Sequence, residues 1–256
     1  MSKWRPTNLN SMYVISDVHG MIYELKNIFS RILPLRKSDG VKDSLVMLGD
    51  YIDRRIGSYQ VIDLLIKTKN DFPDQTTFLM GNHEYMFLSV LEEDCLPSQY
   101  VLWMSNGGDK TIEGYMKAAK LQIDNPYLIK RQNLRDLIPQ EHIDFYKSLL
   151  PYYETEKFIF VHGGCDPYSS LKDQDIYTLL WDRTVYQVAK TMQKMAWDKT
   201  IVAGHNSELS GKLFFGEKFW MIDSSLAKKV NVFEMTSRTG FSATVGNKRL
   251  VKEQYV

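Results

Sequence analysis

Two cysteines in 256 residues are too few for a disulfide framework, and a chain of this length buries enough apolar surface to fold without one. Neither charge is in excess: 32 lysines and arginines face 31 aspartates and glutamates, which removes any bulk attraction to nucleic acid or to an anionic membrane surface. Long hydrophobic runs are missing too. The longest, in DSLVMLGD and KFIFVHGG, have strand length and fall far below the roughly 20 residues of a membrane span. The opening residues, MSKWRPTNLNSMYVIS, lack the apolar segment and small-residue cleavage site of a secretory signal, so the cytosol is the expected compartment. Nucleic acid and membrane are not expected partners, and nothing in the chain speaks to oligomeric state.

What the chain does contain is alternation. Met12 to Ser16, Leu45 to Leu48 and Thr77 to Met80 read as buried strands, each followed by a polar turn with glycine and then by helical periodicity. The helices are expected near Tyr23–Leu33, Ser58–Lys69 and Glu84–Leu91. From about Asp94 to Pro151 the pattern changes to polar, aromatic-rich helical pieces broken at NGG and IPQEH, which reads as an inserted helical cap. Strand-like runs return at Phe158–Val161, Thr200–Ala203, Phe219–Ile222, Val230–Met235 and Phe241–Val245, the later ones alternating as antiparallel strands do. The expected organisation is one discontinuous α/β domain over residues 1–256 with a cap at about 94–151.

The chemistry gathers at the strand ends. YVISDVHGM places Asp17 and His19 two positions apart, on one side of an extended chain, after an apolar run. Alone, that is more simply a turn. The other runs end in GDYIDRR, GNHE, VHGG and AGHN, and in open α/β sheets the carboxyl ends of strands form the ligand crevice. Asp17, His19, Asp50, Asn82, His162 and His205 therefore converge. Of five histidines, only His142 lies away from such a strand end. Carboxylates, an amide oxygen and imidazoles suit Mn, Fe, Co or Zn better than calcium, which takes oxygens alone. Six ligands sharing one bridging carboxylate fit two ions about 3.5 to 4 Å apart, the arrangement that clamps an in-line phosphoryl displacement. The expected chemistry is dinuclear hydrolysis.

The series SDVHG, GDYIDRR, GNHE, VHGG and the later GH resembles the calcineurin-like metallophosphoesterases, and within them the phosphoprotein phosphatase superfamily. WMSNGGDKTIEGY and LLWDR resemble segments of its bacterial and phage serine/threonine phosphatase branch. The resemblance implies a four-layer αββα sandwich with the site at one edge. It implies Asp17, His19 and Asp50 on one metal and Asp50, Asn82, His162 and His205 on the other, with Asp50 as the bridge. A hydroxide shared by the two ions is then the expected nucleophile, without a phosphoenzyme. Arg54 and Arg183 match the phosphate-binding arginines, beside Asn82. His83 matches the general acid toward the leaving alkoxide, and Asp53 the carboxylate that orients it. Two divalent ions are implied, manganese favoured and iron or zinc compatible.

Arg55 departs from the family pattern, which has glycine after DR, and MIDSSLAKK follows the usual carboxyl-terminal segment only loosely. Cys95 and Cys165 read as packing. The expected substrate is a phosphorylated serine or threonine in a protein or peptide. A dinucleoside polyphosphate such as diadenosine tetraphosphate is the alternative, and a non-catalytic binding scaffold a more distant one.

Overall fold

Alternating side chains in the strand-length runs dictate two-faced strands, and each run becomes one. The computed structural model describes residues 10–38, 41–121, 133–190, 198–207, 211–246 and 251–254. Most of the stretch behind the compartment expectation (1–9) and part of the expected cap (122–132) lie outside these residues. In chain order the first elements are β1 (Met12–Ile15), α1 (Ile22–Ile32), a small hairpin of β2 (Lys37–Ser38) and β3 (Val41–Lys42), β4 (Ser44–Met47), α2 (Ser58–Asp71), β5 (Thr76–Phe78) and α3 (Asn82–Leu91). The middle of the chain supplies α4 (Pro97–Trp103), a wide turn of helix at Met104–Gly108, α5 (Asp109–Ala118), α6 (Leu134–Leu137) and α7 (Gln140–Lys147). Then follow β6 (Tyr152–Glu154), β7 (Phe158–Val161), α8 (Ile176–Trp181), α9 (Thr184–Lys190), β8 (Thr200–Ala203), β9 (Phe214–Phe215), β10 (Phe219–Met221), β11 (Lys229–Glu234), β12 (Thr239–Thr244) and β13 (Val251–Gln254).

The strands form two main sheets, ordered β13-β12-β11-β1-β4-β5 and β6-β7-β8-β10-β9. The period of two then sorts the core into layers. Tyr13 and Ile15 of β1 and Leu45 and Met47 of β4 face α1 and α2, whose buried stripe includes Leu25, Phe29, Val61 and Leu65. Val14 and Val46 point the other way and meet Phe160, Val202 and Trp220 of the second sheet. Ile159, Ile201 and Phe219 face outward again, against Leu179 of α8 and Val185 of α9. Helix, sheet, sheet and helix are the four layers, and each interface is sealed by apolar area removed from water.

The helices of residues 94–151 pack on the first sheet's outer side. Trp103, Ile112, Tyr115 and Tyr146 share one cluster with Tyr13 and Leu45. Leu150 extends that sheet's edge: its N–H donates to Phe78 O at 3.0 Å, and its carbonyl accepts from Met80 N–H at 2.8 Å. This pairing inside the expected cap carried no sequence signal.

β1, β4 and β5 run parallel, and so do β7, β8 and β10. Parallel neighbours end at the same edge of a sheet, so the loops that carry the polar motifs gather along one rim of the sandwich. β11 and β12 pair antiparallel, as their alternation indicated, and β13, which was not expected from the sequence, adds antiparallel to β12. Among the described residues no helix is long and apolar enough to cross a membrane.

Candidate active site

The loops leaving these strands turn sharply. His19 (φ 42°), Asp50 (φ 52°), Asp53 (φ 70°), Arg54 (φ 63°) and His205 (φ 60°) all hold left-handed backbone without being glycine. Each such residue costs on the order of 1 kcal/mol or more and persists only where its surroundings over-determine it. One device that does so is the carboxylate of Glu84, fully buried on α3. Its Oε1 accepts the backbone N–H groups of Tyr51 at 2.8 Å and Ile52 at 3.2 Å, and its Oε2 those of Asp50 at 2.8 Å and Gly81 at 3.0 Å. Burial, then the neighbouring charge of Asp50, pushes this carboxyl up to about 7. Glycine is needed at position 81 for space: a Cβ there would lie 2.1 Å from Asp50 Oδ1.

Around Asp50 the donors converge. His19 Nδ1 donates to Ile52 O at 2.8 Å and His162 Nδ1 to Leu48 O at 2.9 Å, and a carbonyl can only accept, so each ring turns its Nε2 inward. His19 Nε2 is 3.4 Å from Asp50 Oδ2 and 4.0 Å from Asp17 Oδ2, and it is buried without a hydrogen-bond partner among the described residues. His162 Nε2 lies 3.3 Å from Asp50 Oδ1 and 3.0 Å from Asn82 Oδ1, and His205 Nδ1 lies 3.1 Å from the same amide oxygen. His19 Nε2, facing two carboxylates with no partner of its own among the described residues, is the clearest place for a cation among these donors. In two groups, His19, Asp50 and His83, and Asp50, His162 and His205, one ligand atom from each residue lies within 4.8 Å of the others. They share Asp50.

The electrostatics point the same way. Burial opposes ionisation of Asp50, but the imidazoles of His162, His83 and His19 overcome it and hold the carboxyl well below its usual range. Burial likewise favours neutral His162, yet Asp50 wins and pushes that imidazole up to about 10. Burial and the neighbouring His162 hold His205 down to about 3. Burial, then Asp223, raises Asp17 well above its usual value, and Asp223 itself is pushed up to about 6, chiefly by burial. Asp17, Asp50, Glu84 and Asp223 crowd four buried carboxyls into this rim, and three of them are raised, chiefly by burial. The residues present fit divalent cations.

A second constellation adjoins the first. His83 Nδ1 donates to Asp53 Oδ2 at 2.7 Å, and the same oxygen accepts from Trp103 Nε1 at 3.0 Å. Thr111 Oγ1 donates to Asp53 Oδ1 at 2.6 Å. Burial opposes the imidazolium of His83, and the charges of Asp50 and Asp53 more than compensate, raising it. The far nitrogen, His83 Nε2, lies 3.2 Å from an Arg54 guanidinium nitrogen. Arg183, exposed like Arg54, sits 3.4 Å from His205 Nε2 across the mouth.

The profile of the calcineurin-like phosphoesterases matches residues 11–232, most of the chain. The chain belongs to that family. A dinuclear divalent metal centre is general to calcineurin-like phosphoesterases, and the Asp50 cluster fits one. This phosphoesterase is 35% identical over 72 residues to the serine/threonine-protein phosphatase 4 catalytic subunit of Eremothecium gossypii, and 38% identical over 72 residues to that of Candida glabrata. Each match covers 28% of the chain and 21% of the relative's length. In fold it is similar to a protein assigned as a diadenosine tetraphosphatase (TM-score 0.60, 14% identity, 95% of this chain and 97% of that one). It is also similar to a protein serine/threonine phosphatase from Saccharomyces cerevisiae (TM-score 0.55, 16% identity, 98% of this chain and 81% of that one).

In the phosphoesterase all ten residues expected from the sequence lie along the one rim. His83 shares a group with His19 and Asp50, while Asp17 lies with its Oδ2 4.0 Å from His19 Nε2 and accepts the His205 backbone N–H at 3.2 Å. Sequence reasoning missed Glu84, Asp223, Trp103 and Thr111. For Glu84 a signal existed, since glutamate three residues after Gly81 has the spacing of a helix-capping carboxylate.

Proposed function

We propose that this phosphoesterase hydrolyses phosphoserine or phosphothreonine in proteins or peptides. The carrying observation is the buried pair of His83 and Asp53. A serine or threonine alkoxide is a poor leaving group and needs a proton as the bond to phosphorus breaks, and an imidazolium held by a buried carboxylate supplies one. A polyphosphate leaving group is far less basic and has less need of it.

In this reading Asp17, His19, Asp50, Asn82, His162 and His205 hold two divalent cations, manganese favoured, with Asp50 shared between them. Cations held there supply Lewis-acid stabilisation of phosphoryl oxygens and make water acidic enough to attack near neutral pH. The chain does the rest. Arg54 and Arg183, with Asn82, take the remaining phosphoryl oxygens, planar guanidinium groups suiting their geometry as charge develops. His83 delivers its Nε2 proton to the departing oxygen while Asp53 keeps Nδ1–H in place. Trp103 and Thr111 fix Asp53, so the inserted helices of residues 94–151 serve as a brace within a single domain over residues 1–256.

Hydrolysis of a dinucleoside polyphosphate is the second reading, favoured by the fold likeness to the diadenosine tetraphosphatase. The discriminating measurement is kcat/KM for a phosphoserine or phosphothreonine peptide relative to diadenosine tetraphosphate, on one manganese-loaded preparation. A ratio well above one is expected. A ratio well below one overturns the phosphoprotein reading.

A further inference from the structure

Beside the phosphate-facing Arg54 opens a cleft of about 510 Å³ that the reaction above does not use. Its described lining includes five basic side chains, Lys26, Arg54, Arg55, Lys110 and Lys117, and a single carboxylate, Glu24; Lys110 is already paired with Glu113 at 2.7 Å and lies 3.8 Å from Asp109. Two helices begin on it, α1 at Ile22 and α2 at Ser58, and neither start is capped by a side-chain hydrogen bond. Helix starts carry partial positive charge, which adds to that of the five side chains.

The loop that connects cleft and catalytic rim is held firmly. Arg54 N–H donates to Gly107 O at 3.1 Å and Arg55 N–H to Asp53 O at 2.7 Å. Gly107 has φ 101°, and a Cβ on it would come within 2.5 Å of Arg54 N, so the NGG turn clamps this loop from behind. Consecutive arginines on a fixed backbone then serve adjoining places: Arg54 beside His83, Arg55 half-buried in the cleft.

The cleft is more than a cation patch. Tyr23, 80% exposed, and Ile56 give it apolar surface. Gln60 adds an uncharged polar side chain to the same lining.

We propose that this cleft is a specificity subsite for anionic groups flanking the scissile phosphoserine or phosphothreonine of a peptide, with Arg55 at its centre. The proposal rests on the phosphoprotein reading and adds the class of sequence preferred: acidic side chains, or a second phosphate, near the phosphorylated residue. Exposed ion pairs each contribute a factor of a few at most, so several together give about a tenfold preference. Added salt reduces it.

The test compares peptides that share one phosphoserine and are flanked by glutamates, by glutamines, or by a second phosphoserine, with an aryl phosphate as the measure of basal turnover. The manganese-loaded parent is expected to favour the glutamate peptide over the glutamine peptide about tenfold in kcat/KM. A larger gain from the second phosphoserine assigns the subsite to phosphate, and no larger gain assigns it to carboxylates. Arg55→Gln should bring the preference to within about twofold, with aryl phosphate turnover unchanged. The double variant Lys26→Gln, Lys117→Gln should reduce the preference without touching the loop. Equal rates on the glutamate and glutamine peptides in the parent, or a preference kept in both variants, overturn the subsite. Aryl phosphate turnover with no peptide hydrolysed overturns the phosphoprotein reading along with it.

Discussion

The two ends of β4 carry buried aspartates treated in opposite ways. Asp43, just before the strand, receives two guanidinium hydrogen bonds from Arg36 at 2.8 Å each, and backbone N–H groups of Arg36 and Ser11 at 3.0 Å each. Its charge is matched by a fixed cation within the protein. Asp50, three residues past the other end, meets imidazoles and other carboxylates, and no arginine or lysine of the described residues lies within ion-pair distance of it. Imidazoles hold its carboxyl well below the usual range, and they are groups that a metal cation also engages. One end of the strand is therefore held by a fixed cation and the other by side chains suited to a metal.

The comparison predicts two different losses. Asp50→Asn should remove both metals and lower phosphatase turnover by at least about 10³-fold, since one residue serves both donor groups. In chelator-treated protein at neutral pH the same change should also lower unfolding free energy by about 1 kcal/mol, because the imidazoles of His162, His83 and His19 favour the ionised carboxyl in the fold, while the oxygen that accepts the His83 N–H at 3.1 Å is kept. A gain of stability without metal would contradict that pairing. Asp43→Asn should cost about 3 kcal/mol at pH 7 by stranding the guanidinium of Arg36, with metal content and turnover per folded molecule unchanged. Burial raises the carboxyl of Asp43, but Arg36 and the two N–H donors outweigh it and hold the folded group below 3.8. A lowered folded value means that this stabilisation is complete above the unfolded value and is lost as pH falls through the folded one. Denaturant curves of parent and Asp43→Asn should therefore converge in acid and separate by neutral pH.

The binding end was far more legible in sequence than the group that supports it. Asp17, His19, Asp50, Asn82, His83, His162 and His205 follow apolar strands within a few residues, and strand-end loops of parallel sheets are where ligands gather. The family resemblance implied two sheets, but which strand joins which was not visible in the apolar pattern, because β7 and β8 are as apolar as β1 and β4. Trp103 and Thr111 reach Asp53 from about 50 residues away, and Asp223 meets Asp17 only through the folding of β10 beside β8. Contacts of that kind leave no periodicity behind. α8 and α9 were also unannounced: six and seven residues long, they give too short a stretch for helical spacing to declare itself. Edge strands such as β9, with two residues, fail for the same reason.

His83 sharpens the contrast, because it lies against Asp50 yet is held by Asp53, a carboxylate with a full set of internal partners. His83→Asn should keep metal content near that of the parent and reduce kcat on an alkyl phosphate by about 10² to 10⁴-fold. The loss should shrink on an aryl phosphate, whose leaving group needs less protonation. Equal losses on both esters would remove proton donation from the role of His83, and loss of metal would make it a ligand.

Arg183 gives the smallest effect and the finest distinction. Arg36 and Arg183 are both arginines near a site of negative charge, but Arg36 is locked onto Asp43 and Arg183 is exposed at the mouth, 3.4 Å from His205 Nε2. Solvent already screens Arg183, so its removal should leave unfolding free energy within about 0.5 kcal/mol of the parent. What it should change is affinity for phosphate: Arg183→Ala is expected to raise KM and the inhibition constant of inorganic phosphate together by about tenfold, as loss of one charge-assisted contact does. Lysine at the same position should restore only part of this, since a point charge does not reproduce a planar fork. A drop in stability with phosphate inhibition intact would instead place Arg183 with Arg36, among the cations that hold the fold rather than the substrate.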